Sequence, residues 1–247
     1  MQMAIHGIGF WNAILLTQSS TLAVSSSSYL SRATHMNEFM GFGKDLVKYY
    51  LTLEENNNRD WFHANRSMYD TNVAFPLKAL AAELEANYSP VKVFRPYRNV
   101  RFWPDLPPLN EHASLIANTE GNAAYYLRVD ADGVLLGCGT WQPTKFQLTT
   151  FRNLAITDSG AKEIRKVLAK VSADGFALTT DNALKSAPRG FDKDHPNIDL
   201  LRLKSLALSQ HWAPPTWLYS RDCLTQVTSA WKAASPWVDW IRTNLPE

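Results

Sequence analysis

Acidic residues are missing from two stretches of this 247-residue chain. None occurs in the first 35 residues, and none lies between Glu85 and Asp105. Cysteine is scarce as well, with Cys138 and Cys223 the only two. Two cysteines make neither a disulfide framework nor a metal cluster and suit a reducing compartment, so the cytoplasm is the expected location. No apolar run reaches the roughly 18 residues that a helical membrane span needs. The formal net charge is only +2, too small to draw the whole protein to nucleic acid or to an anionic membrane. Several signatures are also absent: the Gly-x-Ser-x-Gly elbow, the Gly-x-x-x-x-Gly-Lys phosphate loop, the His-Glu-x-x-His zinc helix and the dinucleotide fingerprint. With no closely spaced ligand set, no metal and no cofactor are expected.

What remains is an ordinary globular composition, 45% hydrophobic and 19% charged, long enough to bury a substantial core without staples. The serine run Ser25–Ser28 and the single arginine Arg32 set residues 1–35 apart. They are expected to be a leader, with Met36 opening a single domain over residues 36–247. A signal or transit peptide is the alternative, which leaves export or import open.

Apolar residues recur at helical spacing over Lys44–Glu55, and the Asn56-Asn57-Asn58 run ends that helix. Further helices are expected over Arg59–Asp70 and over Asn72–Asn87. The second has Pro76 in its first turn, with Phe75, Leu77, Leu80 and Leu84 inward. Val91–Trp103 is rich in β-formers. Tyr125–Val129 and Val134–Cys138 form the clearest hairpin, turning through Asp130-Ala131-Asp132-Gly133. Gly137 and Gly139 at its end suggest a close approach by backbone or ligand. Helices follow at Leu148–Ile156 and Ala161–Ser172, then a polar loop at Leu184–Pro196. Asp199–Trp212 reads as a short helix and a strand. Two closing helices are expected, the last capped by Ser235 with Pro236 at its first position and Trp237, Trp240, Ile241 and Leu245 inward. Helices flank a β-rich centre without βαβ alternation. The expected fold is therefore α+β, with a central, mainly antiparallel sheet between N- and C-terminal helices.

Two segments carry candidate chemistry. In the first, Arg95, Arg98 and Arg101 are interleaved with Phe94, Tyr97, Phe102 and Trp103, with no acid before Asp105. Guanidinium groups are costly to bury unless an anion meets them, and their planar fork fits carboxylate or phosphate. Pairing with the chain's own Asp105 or Glu111 is the plain alternative. Aromatic and basic interleaving also suits single-stranded nucleic acid. In the second segment, Leu184–Pro196, Arg189 sits in a polar loop and His195 lies between acids and proline. His195 is either a proton carrier, or a cap for the next helix or a partner for a backbone group in an ordered loop. Arg202 and Lys204 follow closely. His63 and His112 are read as structural or surface histidines, and Cys138 as a small core residue.

Taken together, Asn57-Asn58-Arg59-Asp60-Trp61-Phe62, the arginine segment ending at Phe102, Pro188-Arg189-Gly190-Phe191, Asp194-His195-Pro196 and Leu200–Lys204 resemble the family called domain of unknown function 2461. The resemblance runs from about Phe42 to Lys204 and beyond. It implies a conserved site around Arg-x-x-Arg-Asp-x-Arg-Phe, but no established activity. This chain departs from that pattern at Asn99, where the hallmark has aspartate, at Leu106, where it has lysine, and at Leu109, where it has tyrosine. An asparagine cannot take a proton at neutral pH, so a catalytic hallmark would be altered here.

The expected function is an arginine-lined pocket for a small carboxylate or phosphate, with Arg95, Arg98, Arg101, Asp105, Arg189 and Arg202 as ligand-binding residues and His195 as the catalytic candidate. A hydrolase or transferase would suit it. The rival is a non-catalytic binding module for a ligand or single-stranded nucleic acid, and no membrane partner is expected. The arginine segment and the Arg189 loop are expected to meet in space.

Overall fold

The computed structural model describes residues 38–98, 105–118 and 121–246, and residues 38–246 of that range lie in one compact unit. The expected leader over residues 1–35 lies outside the described residues.

Each helix forms where apolar residues recur every three or four positions. Helix α1 is Leu46–Glu55, with Leu46, Tyr49, Tyr50 and Leu53 buried. Helix α2, Arg59–Ala64, starts at Asn58, whose side chain accepts from the Trp61 N–H. Helix α3, Arg66–Tyr69, runs through a π-helical turn at Asp70–Ala74 into α4, Phe75–Tyr88. Pro76 lies in the first turn of α4, as its missing N–H requires. Phe75 corrects an expectation, since it is 61% exposed. Two residues before Leu77 it stands about 200° round the helix from the inward stripe, and Val73 takes the buried place.

The sheet is antiparallel throughout, in the order β1-β2-β3-β4-β6-β5. Its strands are β1 Val91–Val93, β2 His112–Ala117, β3 Ala124–Asp130, β4 Gly133–Thr140, β5 Ala177–Leu178 and β6 Leu206–Trp212. The expected hairpin is β3–β4, closed by the Asp130–Gly133 pair, with the Asp130 carboxylate accepting from the Asp132 N–H. Strand β2 was not among the expected elements. Its small residues Ala113, Ser114 and Ala117 carry little β signal in sequence.

Between β4 and β5 lie α5, Lys145–Ala155, and α6, Asp158–Ala173. Thr144 and Gln147 cap α5 reciprocally, and Thr157 caps α6. Helix α7, Ile198–Leu201, precedes β6, and α8, Asp222–Asn244, ends the described chain. Here too an expectation is corrected. Pro236 sits inside α8 and does not start a second helix. Proline forfeits one helical hydrogen bond. Burial of Trp231, Ala234, Trp237 and Val238 on both sides of it holds the helix continuous.

Strand alternation gives the sheet two unlike faces. One carries Leu115, Leu127, Val129, Val134, Leu136, Cys138 and Leu208, all buried in the core with the helices. On this face Trp231 tilts against Tyr125 at 5.3 Å between ring centroids, and the Trp237 indole donates to the Leu206 carbonyl. The other face carries His112, Ser114 and Ile116 from β2, Tyr126 and Arg128 from β3, Leu135 and Gly137 from β4, and Ser209 and His211 from β6. The two β4 glycines differ accordingly. Gly139 has φ +100°, and a Cβ there would lie 2.3 Å from the Leu206 carbonyl oxygen, so it permits the close approach of β6. A Cβ on Gly137 would make ordinary contact with Tyr126.

Candidate functional site

The arginine segment grows from the β1 edge of the polar face. Beyond Val93 the chain stays beside the strand carrying β2. Phe94 N–H donates to the Ser114 carbonyl, Asn110 N–H to that of Pro96, and Arg98 N–H to that of Pro108. Tyr97 bridges Leu109 across this irregular ribbon. Alternation is lost after Phe94, so Arg95 and Arg98 are not forced to opposite sides, and both line one open cavity of about 380 Å³. Asn110, His112 and Ser114 supply its polar lining, and Phe94, Tyr97 and Tyr126 its aromatic walls. Ser114 is 4% exposed and lies deepest among the polar groups.

The opening motif holds this ribbon in place. The Asn57 carboxamide donates to the Leu109 carbonyl at 3.1 Å and to Glu111 at 2.9 Å, and accepts from the Leu109 N–H at 3.1 Å. Phe62 meets Tyr97 edge-on at 5.5 Å, and the Arg66 guanidinium lies over Phe62 while pairing with Asp70. The residues that resemble a family start therefore act as scaffold for the arginines.

Charge in the cavity is uneven. Neither Arg95 nor Arg98 forms an ion pair with a described residue. The alternative of pairing with Glu111 or Asp105 fails among these residues. Glu111 is engaged by Asn57, and Asp105 is exposed. Arg128, next along the polar face, places Nε 2.7 Å from Asp130, in an ion contact too poorly aligned for a hydrogen bond. His112 stands among these groups. Burial is the main cause that pushes its imidazole pKa below the usual 6.5. The fields of Arg128 and Arg98 act in the same direction, against Asp130 and Glu111. Neutral His112 is thus the favoured form at neutral pH, with a nitrogen free to accept a proton.

The second segment, expected to meet the first, contributes no residue to the lining of this cavity. Residues 179–205 leave the sheet from β5 and return through β6 beside Thr140, whereas Arg95 and Arg98 adjoin β1 at the His112 end. Six strands about 4.8 Å apart separate the two edges by more than 20 Å. The loop is ordered by local bonds and by arginines of α5 and α6. The His195 imidazole Nδ1 accepts from the Asn197 N–H, a bond to the backbone of the loop ahead of α7, which has no side-chain cap. Arg165 forks onto Asp199, and Arg152 donates to the carbonyls of Leu201 and Leu203. Arg189 is exposed beside Gly190, and Arg202 is half-buried at the end of α7 with its Nε unpartnered. Arg101 and the hallmark position Asn99 lie outside the described residues. Leu109, at the hallmark tyrosine position, is buried in the core, and Leu106 is exposed.

His112, Ser114, Asn110 and Tyr126 were not among the expected site residues. The signal for the first two was the polar–apolar alternation of His112-Ala113-Ser114-Leu115, which marks a half-buried strand. Nothing local marks Tyr126, which joins only through the β2–β3 register. Cys138 is a core residue as expected, and burial pushes its thiol pKa up to about 12, far from nucleophilic use at neutral pH. Among the described residues, no group of three His, Cys, Asp or Glu is placed to hold a metal ion, and no helix is long and apolar enough to cross a membrane.

The family model described as a conserved hypothetical protein (DUF2461) matches residues 45–240, and the chain belongs to that family. No curated protein and no solved structure matches it.

Proposed function

We propose that the cavity on the polar face binds a small organic or inorganic anion, a carboxylate or a phosphate, through Arg95 and Arg98. One observation carries this reading: two adjacent arginines line a single cavity and have no carboxylate partner among the described residues. Unpaired guanidinium groups in a walled cavity gain most from a two-point anion, through charge-assisted hydrogen bonds worth roughly 1.5–3 kcal/mol each. Arg189, Arg202 and His195 are left out of this proposal because the cavity lining does not include them.

If chemistry occurs there, it is hydrolysis or group transfer on the bound anion, and His112 is the group that takes up the proton. Among the described lining residues no other group is both neutral and basic at neutral pH.

The test is a thermal-shift screen of small anions on the full chain and on two Arg98 variants. Arg98→Ala should abolish the stabilisation, and Arg98→Lys should restore little of it, because lysine keeps the charge and loses the fork. A salt titration with single-stranded oligonucleotide runs beside it. Micromolar binding that falls steeply with salt, with no small anion stabilising the fold, would favour a nucleic-acid-binding module and overturn this proposal.

A further inference from the structure

Three features of the cavity bear on what accompanies the anionic group. The first is size. An open space of about 380 Å³ is within the range of small-molecule pockets and far exceeds a bare phosphate or sulfate. Two arginines gripping an inorganic anion would leave most of it to water.

The second is the register of the polar face. Phe94 pairs with Ser114 through its backbone, continuing the β1–β2 ladder in which Val93 faces Leu115. Tyr126 faces Ile116 on the other side of β2 and is therefore the diagonal neighbour of Ser114. Ser114 pairs directly with Arg128 on β3 and has Tyr126 diagonal to it, so Phe94 and Tyr126 stand on strands two spacings apart, roughly 10 Å, and offset along them by two residues. Both aromatic side chains line the same cavity as the two arginines.

The third is Gly137. It lies opposite Tyr126 on β4, and a Cβ there would touch Tyr126 Cβ at 3.5 Å and Cδ1 at 3.8 Å. The Tyr126 side chain therefore rests along bare backbone on its β4 side. Its other side is the cavity wall.

We infer that the ligand is an organic anion with a flat, apolar body, an aromatic carboxylate or aryl phosphate. Its charged end meets Arg95 and Arg98, and its ring lies against the aromatic walls, Phe94 and Tyr126. This rests on the anion-binding reading above and adds the class of the body. Rings prefer offset or edge-on neighbours at about 4.5–7 Å, which the aromatic walls provide.

The experiment compares matched pairs of probes by calorimetric titration of the full chain: benzoate against acetate, and phenyl phosphate against inorganic phosphate. The aromatic member of each pair should bind roughly tenfold more tightly or better. Phe94 is 41% exposed, so Phe94→Ala should keep the wild-type melting temperature. In that variant the aromatic preference should shrink towards one while the simple anions bind as before. Equal affinities within both pairs in the wild type overturn this inference and leave the anion-binding reading standing. Binding of none of the four probes overturns both.

Discussion

Two arginine-bearing segments look alike in sequence and end differently in the fold. Arg95–Arg98 hangs on the edge of a sheet, over a polar face, and finds no acid among the described residues. Residues 189–202 are held by local bonds and from a neighbouring helix: Arg165 of α6 forks onto Asp199, Lys193 pairs with Asp194, and His195 serves the backbone of Asn197, while Arg189 and Arg202 too form no ion pair among the described residues. The difference teaches where uncompensated charge converges. In the second segment helices α5 and α6 supply Arg152 and Arg165 to its carbonyls and its acid, and its own arginines stay apart from the described cavity lining. In the first, the irregular ribbon beyond β1 brings Arg95 and Arg98 into one cavity, where a shared partner must come from outside.

The scaffolds of the two regions should respond differently to mutation. Asn57→Ala removes a carboxamide that makes three hydrogen bonds to Leu109 and Glu111, and leaves part-buried groups unpaired. It should cost about 1–3 kcal/mol in denaturant unfolding and loosen the arginine ribbon. Arg165→Ala, which breaks the exposed fork to Asp199 in the other region, should cost about 1 kcal/mol or less. A larger loss from Arg165 than from Asn57 would reverse the comparison.

A smaller effect separates the regions by pH. The folded protein holds the His112 pKa below 6.5, so on acidification the unfolded chain binds that proton first. Stability from this group is whole above about pH 6.5 and is lost as pH falls from there towards the folded value. His112→Gln should therefore lose less melting temperature than wild type between pH 7.5 and pH 5.5. An identical decline in both proteins would show that His112 is not held neutral by its surroundings.

The helices and the β3–β4 hairpin were legible because their patterns are local: a stripe at Ile164 and Val171, a Pro76 start, an Asp-Gly turn. Pro236 misled because its local meaning, a helix start, was overridden by tryptophans packed on both sides of it. At the candidate site the arginines were legible from the absence of acid around them. The cavity was not. Ser114 and Tyr126 are made neighbours by register alone, and His112 acquires its environment from Arg98 and Arg128, which are distant in sequence. Arg189 is missing from the lining of the Arg95 cavity for the complementary reason. Shared composition says nothing about which edge of a sheet a segment leaves from.

The claim that binding occurs at one edge and not the other is tested most directly by the imidazole resonances of His112 and His195. They would be assigned with His112→Gln and His195→Gln and followed while benzoate, whose charge is constant over this range, is titrated at several pH values. An anion held by Arg98 should shift the His112 signal and raise its pKa, since negative charge beside an imidazole favours the protonated form. His195 should stay where it is. A His195 signal that moves while that of His112 does not would contradict the account.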